Sequence, residues 1–426
     1  MKQLKIGASL LAPRAAQGGW RHPQAGSFIQ QPLTYFTEVM QIAEQGKLDF
    51  MFLPDYYHIF ATTPEELTAH SNVWLEPVTL LAAMSAVTTR IGLVATLSTT
   101  YHEPYHVARM IASLDQLSGG RAGWNIVTSR GETEAVNFSS GHRPTVAERD
   151  EHATQFIALV QALWRSWEPT AIVEDRLRGI FAHASQVHPM QHKSKWFAVE
   201  GPLNVAPSPQ GAPVCMQAGK SPAFRARAVK NTEVLFTQLN DLQEAKAFYA
   251  DVKQRATHPE RVLILPGLQV IVSATEAEAQ QKKRDYERFD TVALRIAKLM
   301  GLDMSGLTLA TPLPKQATKD NEIYQTVLKV AQQKGLKTIG ELYNHLTAQN
   351  SHLTLVGTAE QIADTMTQWL NEEAADGFIF IPHLLPIAMT EFVQQVIPVL
   401  QRRGVFRADY EGATLREHLA LPLTTI

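Results

Sequence analysis

One short segment of the sequence has the residue types of a phosphate-binding turn. Gln217-Ala218-Gly219-Lys220-Ser221-Pro222 follows an apolar run and precedes a helical pattern that begins near Pro222. Glycine lets the backbone approach a ligand closely, and Ser221 can accept a hydrogen bond from the first turn of the helix. The other free N–H groups of that turn would face an anion. Because many helices begin with Ser-Pro, the segment taken alone fits a plain helix cap better than a phosphate site.

Signatures of several other chemistries are absent from the sequence. It contains no Gly-x-Gly-x-x-Gly after a strand, no Gly-x4-Gly-Lys-Ser/Thr, no His-Glu-x-x-His and no Gly-x-Ser-x-Gly. A Rossmann nicotinamide site, a P-loop, a zinc protease site and a serine hydrolase elbow therefore lack their markers. The 15 histidines, which include His102, His106 and His142, do not have the spacing of metal ligands, and we predict no metal site.

The composition excludes several classes of partner. The 426 residues carry a formal net charge of -2 and no long basic run, so neither nucleic acid nor an anionic membrane is an expected partner. No run approaches the roughly 20 apolar residues of a membrane span, and the N-terminus does not have the pattern of a signal peptide. Cys215, the one cysteine, lies in an apolar run and is expected to be buried and unreactive. We expect a soluble cytoplasmic protein.

Apolar runs alternate along the chain with segments of helical spacing. The runs that predict strands are 4–10, 48–53, 91–97, 122–128, 213–218, 233–238, 263–272 and 378–381. Their lack of polar alternation indicates strands buried on both faces, as in a parallel sheet covered by helices. Eight strand-then-helix units most simply close into a (β/α)8 TIM barrel, and an open doubly wound sheet is the alternative. We predict a single domain over residues 1–426.

Two connections are longer than a minimal barrel requires. They cover about 165–212, after the fourth strand, and 273–350, after the seventh. The second contains a charged helical pattern near 275–299 and a loop with Pro312 and Pro314. Because the active site of a barrel lies at the C-terminal ends of its strands, we expect both insertions to enclose the substrate.

Longer blocks of the sequence resemble a known enzyme family. Residues 98–109 read Ser-Thr-Thr-Tyr-His-Glu-Pro-Tyr-His-Val-Ala-Arg, and residues 113–129 read Ser-Leu-Asp-Gln-Leu-Ser-Gly-Gly-Arg-Ala-Gly-Trp-Asn-Ile-Val-Thr-Ser. Further matching blocks are 20–23, 52–55, 201–205, 208–211, 217–219, 355–358, 375–378, 400–404, 410–412 and 414–419. Over almost its whole length the chain resembles the bacterial luciferase-like flavin-dependent monooxygenases, in the nitrilotriacetate, dibenzothiophene-sulfone and long-chain alkane monooxygenase branch.

The resemblance implies a (β/α)8 barrel that binds reduced FMN at the C-terminal ends of its strands. The residues that it places at the cofactor are Asp55, Thr96 with Ser98 as a near alternative, Asn125, Gly219 and Ser221. Asp55 would accept a hydrogen bond from the flavin or orient the site. Gly219 and Ser221 match the family's phosphate loop, which reverses the interpretation of their turn as a plain cap. Trp124 is assigned to the core instead, because a tryptophan on a strand usually packs.

One segment departs from the family's pattern. Val146-Ala147-Glu148-Arg149-Asp150 stands where the family has His-Asp-Glu-Arg-Tyr, whose histidine and tyrosine contact FMN. Two cofactor contacts are therefore missing, and Asp150 would repel a phosphate unless a cation pairs with it. The candidates for that cation are Arg149 and Arg143. The nearby histidines that could replace the missing one are His142 and His152.

The resemblance further implies the activity of a two-component monooxygenase. A separate NAD(P)H-dependent flavin reductase would supply FMNH2, which would react with O2 as a C4a-peroxyflavin and transfer one oxygen atom to a small organosulfur, aminopolycarboxylate or alkane substrate. The catalytic residues stay unknown, with Tyr101 and His102 after the third strand as candidates. Arg14 and Arg21 would favour an anionic substrate. The family also implies a homodimer or homotetramer.

Two other functions stay open at this point. The Val146 and Asp150 departures would suit a flavin- or F420-binding protein that lacks oxygenase activity. The same barrel also supports hydrolases and lyases that need no O2, because a fold does not determine its chemistry.

Overall fold

A closed barrel of eight parallel strands forms the centre of the molecule. The computed structural model describes residues 2–11, 19–61, 64–129, 132–138, 145–287, 310–313, 322–348 and 352–423. The barrel strands are β1 (Lys5–Ser9), β2 (Phe50–Leu53), β3 (Gly92–Ser98), β4 (Ala122–Val127), β5 (Val214–Ala218), β6 (Val234–Thr237), β7 (Leu263–Val272) and β8 (Gly377–Phe380). Each strand pairs with the next, and β8 pairs with β1. The predicted TIM barrel is confirmed, and the open sheet is wrong.

Helices surround this barrel. Those of the described ranges are α1 (Pro32–Gln45), α2 (Pro64–Ala69), α3 (Pro77–Ser85), α4 (Pro104–Ser118), α5 (Glu132–Ala135), α6 (Val146–Trp164), α7 (Pro222–Asn231), α8 (Leu242–Arg255), α9 (Glu276–Glu287), α10 (Glu322–Gln333), α11 (Ile339–Ala348), α12 (Ala359–Asn371), α13 (Ile387–Glu391), α14 (Ile397–Arg402) and α15 (Leu415–His418). Several begin with proline, whose missing N–H has no partner at that position anyway. None of these helices is long and apolar enough to cross a membrane.

Successive residues of each strand point alternately toward the surrounding helices and into the barrel. On β4, Trp124 is fully buried in the outer core, where its ring lies edge-on to Trp164 at 6.2 Å and its Nε1 donates to the carbonyl of Leu97. This confirms that Trp124 is a core residue. The next residue, Asn125, therefore faces the interior of the barrel.

The N-terminal half of the barrel interior is filled by a second, smaller apolar core. Its members from the strands are Phe50, Phe52, Val94, Val214, Met216, Val234, Leu263, Leu265 and Ile379. Leu415 of α15 and the following Leu419 and Leu421 join this core and close the N-terminal end of the barrel. Gly92 makes room for them, since a Cβ there would lie 2.5 Å from a methyl carbon of Leu415.

A buried ion pair joins the start of β2 to the C-terminal segment. Asp49 is 0% exposed in its side chain and pairs with Arg407, which is 7% exposed. The other carboxylate oxygen of Asp49 accepts the backbone N–H of Ile6 at 2.6 Å. Because Arg407 also donates to the carbonyl of His418, this network ties β1 and β2 to the residues that close the barrel.

Both predicted insertions have structure of their own. In the first, Ile172–Asp175 pairs with Ile180–Ala182 and His192–Lys193 pairs with Ala198–Val199. The second contributes α9, α10 and α11, and part of the predicted helix near 275–299 and Pro314 lie outside the described residues. An unpredicted strand, Leu353–Gly357, follows and pairs with the second half of β7. Its first and last residues are buried and the three between them are exposed or half-exposed, because it lies outside the barrel.

Candidate active site

Polar side chains that the sequence predicted at the cofactor meet inside the C-terminal half of the barrel. The register pairs Thr96 of β3 with Asn125 of β4, and Asn125 Nδ2 donates to Thr96 Oγ1 at 2.9 Å. Both residues are 2% exposed. Asn125 Oδ1 accepts no hydrogen bond from any group in the described part of the chain. A buried acceptor without a partner is costly, so this oxygen is suited to a ligand that brings an N–H group.

Ser98, the alternative to Thr96, has a different set of contacts. Its Oγ accepts the backbone N–H of Thr100 at 3.0 Å, and its carbonyl accepts a hydrogen bond from His102 Nδ1 at 3.0 Å. These contacts anchor the loop after β3, so the geometry favours Thr96 over Ser98 as a flavin contact. Burial lowers the pKa of His102, which keeps the ring neutral and leaves its Nε2 as an acceptor.

An aromatic cluster lines one side of the barrel mouth. Tyr101 stacks on Phe138 with ring centroids 4.1 Å apart and planes 2° from parallel. Tyr57 lies edge-on to both rings, at 5.6 and 5.3 Å, and 5.9 Å from His102. Sequence analysis selected Tyr101 and His102 but missed Tyr57. Its place two residues after Asp55, just beyond a strand end, was the available signal.

Asp55 lies at the rim of the barrel just beyond β2, and its carboxyl group has a raised pKa. Its Oδ1 accepts the backbone N–H of Tyr56 at 2.9 Å. Burial, with smaller contributions from the nearby carboxylates of Glu76 and Glu134, raises the pKa of Asp55 to about 6. A carboxyl group that titrates near neutral pH in a barrel mouth is typical of a functional site.

Asp55→Asn is expected to raise the melting temperature by a few degrees at pH 8 and not at pH 4. The carboxyl titrates at an ordinary pKa of 3.8 in the unfolded chain and at about 6 in the fold. The folded state therefore holds the proton more tightly, and stability falls as the pH rises through this interval. Because asparagine does not titrate, the variant does not lose this stability as the pH rises. The measurement is thermal unfolding over a pH series.

The control for this substitution is Asp409→Asn. Asp409 is 77% exposed and pairs with Lys47, so its removal should not raise the melting temperature at pH 8. An equal gain from Asp55→Asn at every pH would contradict the assigned titration.

The predicted phosphate turn lines a cavity of about 260 Å³. The cavity lies between the ends of β4 and β5, the loop Gly219–Ser221, and Phe224 and Arg227 of α7. Ser221 Oγ accepts the N–H of Phe224 at 3.2 Å, as a helix cap does, and the Ser221 carbonyl accepts the N–H of Arg225. Pro222 has no N–H, so Ala223 supplies the N–H of this first turn that has no intrahelical partner. A Cβ on Gly219 would lie 2.7 Å from the Phe224 ring, which explains the glycine. This volume suits the phosphoryl end of a ligand rather than a whole cofactor.

Asp150 is neutralised by a residue that sequence analysis did not select. Arg227 Nη1 of α7 pairs with Asp150 Oδ1 of α6, and Arg227 also lines the cavity. Of the two cations predicted for this role, Arg149 does not form the pair and Arg143 lies outside the described residues. His142, a candidate to replace the missing histidine, lies outside them as well. His152 packs against Phe197 at 4.6 Å between ring centroids, in an aromatic cluster.

A second group of side chains lies at the mouth on the side of β7 and β8. Tyr286 of α9 and His383, three residues beyond β8, have ring centroids 5.9 Å apart, and His22 lies 5.4 Å from Tyr286. The Tyr286 hydroxyl and His383 Nε2 are buried without partners among the described residues. Burial, with a smaller contribution from Lys283, lowers the pKa of His383 to about 4. The His383 ring is therefore a neutral polar group on this side of the mouth.

Together these features fit FMN. The acceptor of Asn125 points into the barrel where a flavin ring would enter, and the Gly219–Ser221 cavity opens beside the next residues of the same strand, Ile126 and Val127. Thr96, Asn125 and Asp55 would hold the ring, and the turn with Arg227 would hold the phosphate.

Comparison with known proteins places the chain among monooxygenases. The luciferase-like monooxygenase family model matches residues 11–376. The chain is 42% identical over 433 residues to an N-acetyl-S-(2-succino)cysteine monooxygenase of Bacillus subtilis, with 99% of this chain and 97% of the relative covered. It is 39% identical over 439 residues to nitrilotriacetate monooxygenase component A of Aminobacter aminovorans, with 99% and 97% covered. The crystal structure of a long-chain alkane monooxygenase has a TM-score of 0.82 to this chain at 30% identity, covering 99% of this chain and 96% of that one.

Proposed function

The chain belongs to the luciferase-like monooxygenase family, and we propose that it is the oxygenase component of a two-component system. In this proposal a separate NAD(P)H-dependent flavin reductase supplies FMNH2, and one atom of O2 is inserted into a small organic substrate. The relative named component A supports the division of the system into two proteins. A homodimer or homotetramer is proposed from the family alone.

One observation carries the proposal for the cofactor. The buried, partnerless oxygen of Asn125 and the cavity at Gly219–Ser221 adjoin each other on β4, inside the same barrel mouth. An elongated cofactor with an N–H-bearing ring at one end and an anionic group at the other matches this arrangement. FMN has both features, and riboflavin lacks the anionic group.

The chemistry divides between the cofactor and the chain. Reduced FMN, when bound, supplies the electrons and the activation of O2. Thr96 and Asn125 would orient its ring, and the stacked pair Tyr101 and Phe138 would shield that ring from water. His102, neutral and with Nε2 as an acceptor, is the proposed site for a proton released near the reacting atoms.

A polar substrate suits the opposite side of the mouth. An alkane substrate would leave the Tyr286 hydroxyl and His383 Nε2 without hydrogen-bond partners. An organosulfur compound or aminopolycarboxylate would bring groups to satisfy them. The names of the relatives that act on N-acetyl-S-(2-succino)cysteine and nitrilotriacetate support this choice.

The test is an anaerobic titration of the purified apoprotein with FMN, first oxidised and then reduced with dithionite. We expect the reduced form to bind about tenfold more tightly, because a component that receives FMNH2 must hold it against release. Adding O2, a flavin reductase and NADH should then oxidise an organosulfur or aminopolycarboxylate substrate.

Other outcomes distinguish the alternatives. Tight flavin binding without oxidation of any tested substrate would favour a binding protein without oxygenase activity. Product formation in the absence of O2 would favour a hydrolase or lyase. A folded protein that binds neither form of FMN would contradict the proposed function.

A further inference from the structure

Arg227 has the position of a phosphate-binding cation. Its side chain is 13% exposed and lines the cavity beside the N-terminus of α7. One nitrogen of its guanidinium donates to Asp150, while Nε is buried without a partner among the described groups. A guanidinium with an unused donor, near the Ala223 N–H at the start of α7, suits an anion that has several oxygens.

The charges around this cavity balance in the absence of a ligand. Arg227 is paired with Asp150, and Lys220 on the loop is paired with Glu244 of α8 at 2.6 Å. A phosphate monoester would add a charge of about -1.5 to -2. Asp150 and the phosphate would then compete for the same guanidinium, and the two anions would repel each other.

We propose that Arg227 binds the phosphate of FMN in this chain, and that Asp150 neutralises its guanidinium until the phosphate displaces the carboxylate. This proposal rests on the FMN-dependent function proposed above. It also explains how a carboxylate is tolerated where the resembling family has a tyrosine. The arginine that faces Asp150 from α7 supplies the compensating charge and takes over the phosphate contact.

The experiment compares FMN with riboflavin, which lacks the phosphate. Dissociation constants of both are measured by flavin fluorescence for the wild type, Arg227→Ala and Asp150→Asn. We expect Arg227→Ala to raise the dissociation constant of FMN at least tenfold, because a charge-assisted hydrogen bond is lost. The dissociation constant of riboflavin should change less than twofold. Asp150→Asn should lower the dissociation constant of FMN about threefold, because the competing anion is removed, and should leave that of riboflavin unchanged. High salt should weaken FMN binding to the wild type more than to Arg227→Ala.

Arg225→Ala is the matched control. Arg225 lies on the same helix, is 18% exposed and pairs with Asp251 at 2.9 Å, but it does not line the cavity. We expect it to leave both dissociation constants unchanged. Thermal unfolding of every variant checks the fold, and Arg227→Gln replaces Arg227→Ala if the latter does not fold.

Several results would overturn the proposal. Equal weakening of FMN and riboflavin by Arg227→Ala would show that Arg227 only supports the structure. Unchanged FMN binding in that variant would show that the phosphate lies elsewhere. Equal affinity of the wild type for FMN and riboflavin would lead to the same conclusion. A wild type that binds riboflavin but not FMN would overturn both the role of Arg227 and the proposed dependence on FMN. A wild type that binds neither would overturn the proposed function itself.

Discussion

Asn125→Leu is expected to weaken the binding of FMN and of riboflavin about tenfold while the melting temperature changes little. In the flavin complex the Asn125 Oδ1 would accept one hydrogen bond, and the loss of about 1.4 kcal/mol corresponds to a factor of ten. In the free protein leucine removes a buried acceptor that has no partner. That gain offsets the lost hydrogen bond to Thr96 Oγ1, which measures 2.9 Å. Fluorescence titration and thermal unfolding give the two quantities.

The pattern across ligands separates this residue from the phosphate site. Asn125→Leu should affect both flavins alike, whereas Arg227→Ala should affect FMN only. Thr96→Val is the companion variant, because it removes only the acceptor of Asn125 Nδ2. It should weaken the binding of both flavins less than Asn125→Leu does. Intact flavin binding in a folded Asn125→Leu protein would show that this side chain does not contact the ring.

Asp49→Ala is expected to lower the free energy of unfolding by about 3–5 kcal/mol. The substitution leaves Arg407 buried at 7% exposure without its carboxylate, and it removes the acceptor of the Ile6 N–H. Breaking a buried pair on one side costs this much because the remaining charge has no compensation. The measurement is urea unfolding, or the rate of thermal inactivation where unfolding is irreversible.

An exposed ion pair of the same protein serves as the comparison. Lys2 and Glu373 pair at 3.1 Å with side chains 60% and 64% exposed. Glu373→Gln should therefore cost less than about 1 kcal/mol. Similar small losses for Asp49→Ala and Glu373→Gln would mean that water reaches the Asp49 network.

The barrel could be predicted from the sequence because its strands are short, apolar and buried on both faces. Predicted runs such as 91–97 and 263–272 agree with β3 and β7 to within one residue at each end. The helix predicted to begin near Pro222 does begin there, because proline suits the first position of a helix. Gly119 ends α4 with a φ of 69°, a conformation that favours glycine. The strand Leu353–Gly357 was missed because it pairs outside the barrel and does not form a continuous apolar run.

The parts of the site that were missed depend on contacts distant in the chain. Arg227 and Asp150 are 77 residues apart, and no local sequence pattern predicts that an arginine of α7 will pair with an aspartate of α6. Tyr57 acquires its role only through packing against Tyr101 and Phe138. Thr96 and Asn125 were predicted from the resemblance to the family, and Gly219 from the residue types of its turn. The structure brings Thr96 and Asn125 together because their strands are neighbours in the barrel.

The closure of the barrel by α15 and Leu421 has a consequence for how the chain is made. β1 leaves the ribosome first, yet β8 and the leucines that cover the interior are synthesised last. Until then the inward side chains of the early strands have no cover, and the growing sheet keeps two unpaired edges. The barrel therefore cannot close before β8 and these leucines have been synthesised, and a chain that stops before Gly377 would lack both the last strand and the cover of the interior.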